Sequence, residues 1–234
     1  TTGEVERVSI SMLRKTIAKN MVLSKATIPH AAAIDEFDVT ELVRFRKEQK
    51  EMAMENGAHL TYMPFIIKAL VLTLKEFPMF NASYDEENEE LILKKYYNIG
   101  IATDTPDGLM VPVIKEADKK GILQIAKEVS TLSAQSREKT ISLDKLQDGT
   151  ISITNFGAVG TIAGIPVIKP PEVAILGIGR ITKKPVVVVD EIVVRDILTV
   201  TLAIDHRVID GADAGRFLNK LKEYLKNPML LLLS

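Results

Sequence analysis

An α+β fold, with helices packed on one face of a mixed sheet, is predicted by the order of apolar patterns along this 234-residue chain. Helix-period segments dominate its first half and strand-period segments its second, the arrangement expected when helices cover a sheet. One segment, Met63 to Phe77 (MPFIIKALVLTLKEF), is apolar on nearly every side and is predicted to be a central, buried helix. No low-complexity tract, linker or solenoid-period repeat interrupts the pattern, so residues 1–234 are read as one domain.

The elements follow in chain order. Val5, Val8 and Ile10 alternate with polar residues, which predicts a short arm or edge strand within residues 1–10. Leu13, Ile17, Met21 and Val22 then fall at helical spacing, with Ser11 placed as N-cap. IPHAAAIDEFDV reads as a strand opened by Pro29, and Thr40 is placed to cap the next helix, which stops at Gly57. Beyond the central helix, two short strands flank the acidic turn DEENEE between Asn81 and Lys95. NIGIATDT and LMVPVIKEA read as strands joined through the turn tripeptide Pro106-Asp107-Gly108. ILQIAKEVSTLSAQSRE is an amphipathic helix, and TISITNF, EVAILGIGRI, PVVVVD and EIVVRDILTVTLAI are strands. The last helix runs from about Ala212 to Lys226.

Composition narrows the function classes. There are no cysteines, which removes disulfide frameworks, thiolate metal sites and cysteine nucleophiles. Thirty Lys plus Arg against 31 Asp plus Glu leave a net charge of −1, which gives no reason to expect nucleic acid or an anionic membrane as partner. No apolar run approaches the roughly 18 residues of a membrane span. The expected compartment is reducing: cytoplasm, or mitochondrial matrix in a eukaryote.

Two motifs have weak local readings. EADKKG resembles a lipoyl-lysine turn, yet its neighbours are a strand and a helix rather than a small flattened barrel. GIGRIT has two glycines in dinucleotide-loop spacing, but Thr182 stands where a third is expected and no helix follows. His30 and His59 lack any carboxylate pattern and read as structural.

His206, in DHRVIDGADAGRF, is different. It stands where the apolar strand ILTVTLAI ends and a helix begins, with Asp210 one helical turn later. From these residues alone, a catalytic histidine and a structural histidine paired with a carboxylate are both open.

DHRVIDG, together with TNFGAVG, PPEVAILGIG and DGLMVPV, resembles the catalytic core of the dihydrolipoamide acyltransferases of 2-oxo acid dehydrogenase complexes. The similarity runs from RKTIAKNM and IPH through FDVTELVRFRK and LTYMPFIIKAL to the C-terminus. His-x-x-x-Asp-Gly alone is shared with chloramphenicol acetyltransferases; the ordered set of blocks is far more specific. The resemblance implies a chloramphenicol-acetyltransferase-like, trimer-forming fold. It implies acyl transfer between dihydrolipoamide and coenzyme A, with no protein nucleophile and no metal.

In that chemistry His206 is the general base that takes the proton of the attacking thiol. A thiol pKa of about 8.5 against about 6.5 for imidazole makes this step uphill by about 2.7 kcal/mol, a manageable gap. The resemblance places Asp210 as an orienting group, with Arg14 as a candidate partner, and Arg207 in a structural ion pair. Thr154 stands where the family commonly has serine and is placed as donor to the tetrahedral oxyanion; without the family it reads as a β-branched strand residue whose hydroxyl is satisfied locally. Coenzyme A contacts carry over onto Arg46, Thr61, Asp104, Ser133, Thr154, Asn155, Gly179 and Ile181. Arg46 suits phosphate oxygens, Asp104 suits a hydroxyl or amide, and Gly179 suits close approach of backbone to a ligand.

The family also implies partners. The expected assembly is a homotrimer, with the apolar tail 228–234 (PMLLLLS) joining trimers into a cubic or dodecahedral shell. The decarboxylase and dihydrolipoamide dehydrogenase components would bind through upstream domains, and the lipoyl group would ride on another; neither domain is expected within these residues. Branched-chain and pyruvate-type acyl groups both fit the sequence, and the competing reading is a non-catalytic scaffold core of the same family.

Overall fold

The apolar runs of the last third fold into the two longest strands, β9 (Ala174–Val188) and β10 (Glu191–Asp205), in a computed structural model that describes residues 3–233. They pair antiparallel and form the middle of a six-stranded mixed sheet ordered β1-β10-β9-β8-β4-β7. The other members are β1 (His30–Asp38), β4 (Ile99–Ile101), β7 (Val113–Ile114) and β8 (Ile151–Asn155). β8 runs parallel to both β9 and β4, while β1 and β7 are antiparallel edges. β2 (Ala82–Asp85) with β3 (Glu90–Leu93), and β5 (Thr103–Thr105) with β6 (Gly108–Met110), form two separate hairpins.

Four helices pack on one face: α2 (Thr40–Glu55), α3 (Met63–Glu76), α4 (Ile122–Arg137) and α5 (Gly211–Lys226). α3 is the centre of the core. Phe65, Ile66, Ile67, Leu70 and Leu74 are fully buried against Ile151 and Ile153 of β8, Leu176 of β9, and Leu202 and Ile204 of β10. Burial of such side chains is worth roughly 1.5–3 kcal/mol each, which explains why the most apolar stretch becomes the middle helix.

α1 (Met12–Thr27) departs from the one-face pattern. Ser11 caps it as expected, accepting from the Arg14 backbone amide at 3.1 Å. Yet its single buried residue is Ser24, whose hydroxyl donates to the Ile168 carbonyl. The helix lies over the opposite side of the sheet, where Ile28, Ile168, Ile175 and Ala203 form a small second cluster.

Other expectations need correction. The arm forms no strand: Val5, Val8 and Ile10 are all exposed. Residues 1–2 of that arm, and Ser234 of the tail, lie outside the described residues. Thr40 is the first residue of α2 rather than its cap. Its hydroxyl donates to Asp38 and accepts from the Asp196 amide at 3.0 Å, tying β1 to β10. The predicted strand pair around Pro106–Gly108 is divided in two: β4 and β7 join the main sheet, and β5 and β6 hairpin outside it. Pro112, which has no amide to give a ladder, stands at the break before β7. Finally, Pro228 and Leu231 of the tail are buried, while Met229, Leu232 and Leu233 project outward.

Candidate active site

β10 carries His206 rigidly to the end of the sheet. Asp205, its last residue, is almost fully buried and grips Arg207 at 2.8 Å. The Arg207 guanidinium lies 4.6 Å over the Tyr84 ring and reaches Glu86 at 3.4 Å, so it serves the β2 hairpin rather than a substrate. The His206 amide donates to the Pro29 carbonyl at 3.0 Å. With backbone and flanks fixed, the imidazole itself projects outward, 48% exposed. Its Nδ1 stands 3.9 Å from Asp210 Oδ1. That separation is electrostatic rather than a hydrogen bond, and Asp210, at the N-cap position of α5, is 82% exposed.

Thr154 lies elsewhere. Ile151 and Ile153 of β8 point into the main core, so Ser152 and Thr154 point to the opposite face, under α1. There they line a cleft of about 480 Å³ walled by Leu13, Ile17, Met21, Met110 and Phe156. Leu13, Ile17 and Met21 of the α1 stripe face this cleft, while Val22 is exposed. Register places Thr154 opposite Gly177, and Gly177 opposite Thr201. His206 is five residues further on and two strands across. At about 3.3 Å per residue and 4.8 Å per strand, the two side chains of one chain are on the order of 19 Å apart.

A third group gathers at the carboxyl end of β8. Asn155, Gly179 and Ile181 line a cleft of about 510 Å³ with Tyr62 and Met63. Arg46 lies 5.4 Å over the Tyr62 ring, its Nε donating to the Leu60 carbonyl at 2.8 Å. Thr61 Oγ1 accepts from the Met63 amide. Five of the eight carried-over contacts therefore share one neighbourhood, while Thr154 lines the cleft under α1. Asp104, exposed on β5, and Ser133, on α4, line neither cleft. Gly179 has a different reason from the one expected: a Cβ there would sit 1.8 Å from the Ile162 carbonyl oxygen. The close approach is to the chain itself, at a bulge where β9 shifts register against β10.

Arg14 rests against the β5–β6 turn, within 3.1 Å of where a Gly108 Cβ would be. It lies about 20 Å along α1 from the Pro29 end near His206, so it does not meet Asp210 in the same chain. His30 is structural as read: Nδ1 meets the Ile28 carbonyl at 2.9 Å, and Nε2 accepts from the Ile168 amide at 3.1 Å. His59 is exposed between α2 and α3.

Sequence reasoning missed Glu172. It is 2% exposed and accepts a hydrogen bond from the Ser152 hydroxyl at 2.9 Å through Oε1. Its Oε2 has no hydrogen-bond partner among the described residues. Burial pushes the carboxyl up to about 7, against the opposite pull of Ser152, Lys169 and Lys94. The available signal was an acid placed directly before the apolar strand VAILGIG, in PPEVAILGIG.

A six-stranded mixed sheet with a histidine at the end of its second strand places the protein in the chloramphenicol-acetyltransferase fold class. Chloramphenicol acetyltransferase itself superposes with a TM-score of 0.56 at 14% identity, over 89% of this chain and 94% of that one, a likeness of fold alone. The model of the 2-oxoacid dehydrogenases acyltransferase catalytic domain matches residues 2–233, and the chain belongs to that family. It is 51% identical over 232 residues to the dihydrolipoyllysine-residue acetyltransferase component of the pyruvate dehydrogenase complex of Acholeplasma laidlawii. That match covers 99% of this chain and 43% of the relative, so the chain spans less than half of the relative's length. Among solved structures, Azotobacter vinelandii dihydrolipoamide acetyltransferase superposes with a TM-score of 0.96 at 39% identity, covering 98% of this chain and 95% of that one. The cubic core of a pyruvate dehydrogenase multienzyme complex does so with 0.96 at 39% identity, covering 99% and 95%.

Proposed function

We propose that this chain transfers an acetyl group between dihydrolipoamide and coenzyme A, as the catalytic core of a pyruvate dehydrogenase complex. The near-complete match to an acetyltransferase component is the observation that carries this reading and favours acetyl over branched-chain acyl groups. The site residues agree with it. The Azotobacter relative's catalytic mechanism has been probed at a serine, a histidine and an asparagine; Thr154, His206 and Asp210 stand at the same intervals along this chain.

In this reading His206 takes the proton of the attacking thiol, and the thiolate adds to the thioester carbonyl. The Thr154 hydroxyl donates to the resulting oxyanion. As the adduct collapses, the other sulfur leaves and His206 returns the proton to it. Asp210, one helical turn on and 3.9 Å away, is the orienting group for the ring. Coenzyme A occupies the cleft of Asn155, Gly179 and Ile181 as substrate, with Arg46 and Thr61 at its rim.

Because Thr154 and His206 are far apart in one chain, each site takes the threonine of one copy and the histidine of another, as in a homotrimer. The exposed arm residues Val5, Val8 and Ile10 and the exposed α1 residues Met12 and Val22 supply apolar surface for that contact. Met229, Leu232 and Leu233 serve contacts between trimers in a cubic or dodecahedral shell. The lipoyl group and the binding of the decarboxylase and dehydrogenase components belong to domains outside residues 1–234, which we take as a single core domain in the cytoplasm or mitochondrial matrix.

The test is transfer from acetyl-, succinyl-, isobutyryl- and isovaleryl-CoA to dihydrolipoamide. Preference for acetyl-CoA supports the pyruvate type, and no transfer from any donor favours a scaffold.

A further inference from the structure

We propose that Glu172 is a positioning residue of the acyl-transfer site, tying the strand that carries Thr154 to the strand that carries His206. This rests on the acyl-transfer reading above. Two links carry it. On one side, Glu172 Oε1 accepts from Ser152, two residues before Thr154 on the same face of β8 and lining the same cleft. Gly100 leaves the space this hydroxyl occupies, since a Cβ there would come within 2.6 Å of it. On the other side, the carbonyl of the next residue, Val173, accepts from the Asp205 amide at 2.8 Å. Asp205 immediately precedes His206. Two hydrogen bonds around Glu172–Val173 thus join the roots of both proposed catalytic residues. In a trimer with sites between copies, they join Thr154 of one site to His206 of the next.

A carboxyl with one unpartnered oxygen at this depth is a costly way to fill space; an apolar or amide side chain would cost less. What the carboxyl supplies is a strong, directional acceptor for Ser152. Its surroundings hold it between charge states. Lys169, in the loop before it, donates to the Leu146 carbonyl at 3.5 Å, and half-buried Lys94 follows β3; both favour the carboxylate. Asp148, paired with Lys115, leads into β8; with Asp85 and Glu86 from the end of β2 it lines a separate cleft, distinct from that of Thr154, which Lys94, Lys169 and Glu172 also border. At the end of β10, Asp205 is neutralised by Arg207. Burial outweighs the cations, so the carboxyl is pushed up to about 7.

The experiment measures acetyl transfer from acetyl-CoA to dihydrolipoamide by the full chain, from about pH 6 to about pH 9. Wild type is compared with Glu172→Gln, Ser152→Ala and the double variant. Each single variant is expected to lower kcat about tenfold, with KM for acetyl-CoA and for dihydrolipoamide within about twofold, and the double variant to lose no more than either. Glu172→Gln should also lose an inflection near neutrality in its kcat profile. Wild-type kcat and pH profile in Glu172→Gln, or losses that multiply in the double variant, overturn the proposal. If Glu172→Gln does not fold, wild-type kcat in Ser152→Ala overturns it alone. A wild type that transfers no acetyl overturns the acyl-transfer reading instead.

Discussion

His206 stays half-exposed while its backbone is held at the end of β10: its amide donates to the Pro29 carbonyl, and its neighbours Asp205 and Arg207 pair with each other. A side chain so placed contributes to chemistry without contributing much to stability. His206→Ala is therefore predicted to lower acetyl transfer by about 10²–10⁴ while the melting temperature stays within a degree or so. Glu172 is the opposite case. Its folded carboxyl titrates near 7, above the ordinary value of 4.5, so the folded state binds the extra proton between those limits. Stability then falls as pH rises from 4.5 through 7, by at most about 3 kcal/mol. Glu172→Gln removes that dependence, and its melting temperature relative to wild type should rise from pH 5 to pH 8. A constant difference across that range would contradict the assignment.

At the scale of elements, backbone geometry decides positions that composition leaves open. Gly179 sits in a β9 bulge beneath the Ile162 carbonyl, and Gly179→Ala should cost at least about 2 kcal/mol, read as a lower urea midpoint. At the β9–β10 turn, Val189 and Asp190 both have positive φ, 49° and 64°, and Val189 is 91% exposed. A β-branched residue is strained there, so Val189→Asn should add about 1 kcal/mol by the same measurement. These cases show what was legible in the sequence. Periodicity placed all five helices and the long strands, because helices such as α3 and strands such as β10 bury the side chains their patterns display. It could not show that the apolar stripe of α1 faces a cleft rather than the core, since both need the same spacing. Nor could it show that Gly179 answers to Ile162, or that Glu172 meets Ser152 across twenty residues; both contacts exist only after the loop before β9 folds over β8. His206 and Asp210 stand out at the strand–helix junction of DHRVIDGADAGRF, but their roles and that of Thr154 rest on a resemblance, and the distance of Thr154 from His206 follows only from register.

At the scale of the whole molecule, that separation is the central fact. Strand register leaves on the order of 19 Å between Thr154 and His206, and Arg14 is likewise far from Asp210. On the proposed reading one chain holds halves of two different sites, and the exposed apolar residues of its arm and first helix are where another copy would pack. The most direct test mixes two inactive variants, Thr154→Ala and His206→Ala, by co-expression and measures acetyl transfer in the purified assembly. A site built between copies predicts recovery of about a quarter of wild-type activity, the share of random boundaries that pair an intact threonine with an intact histidine. Activity no higher than that of either variant alone would contradict the account and place both groups of each site within one chain.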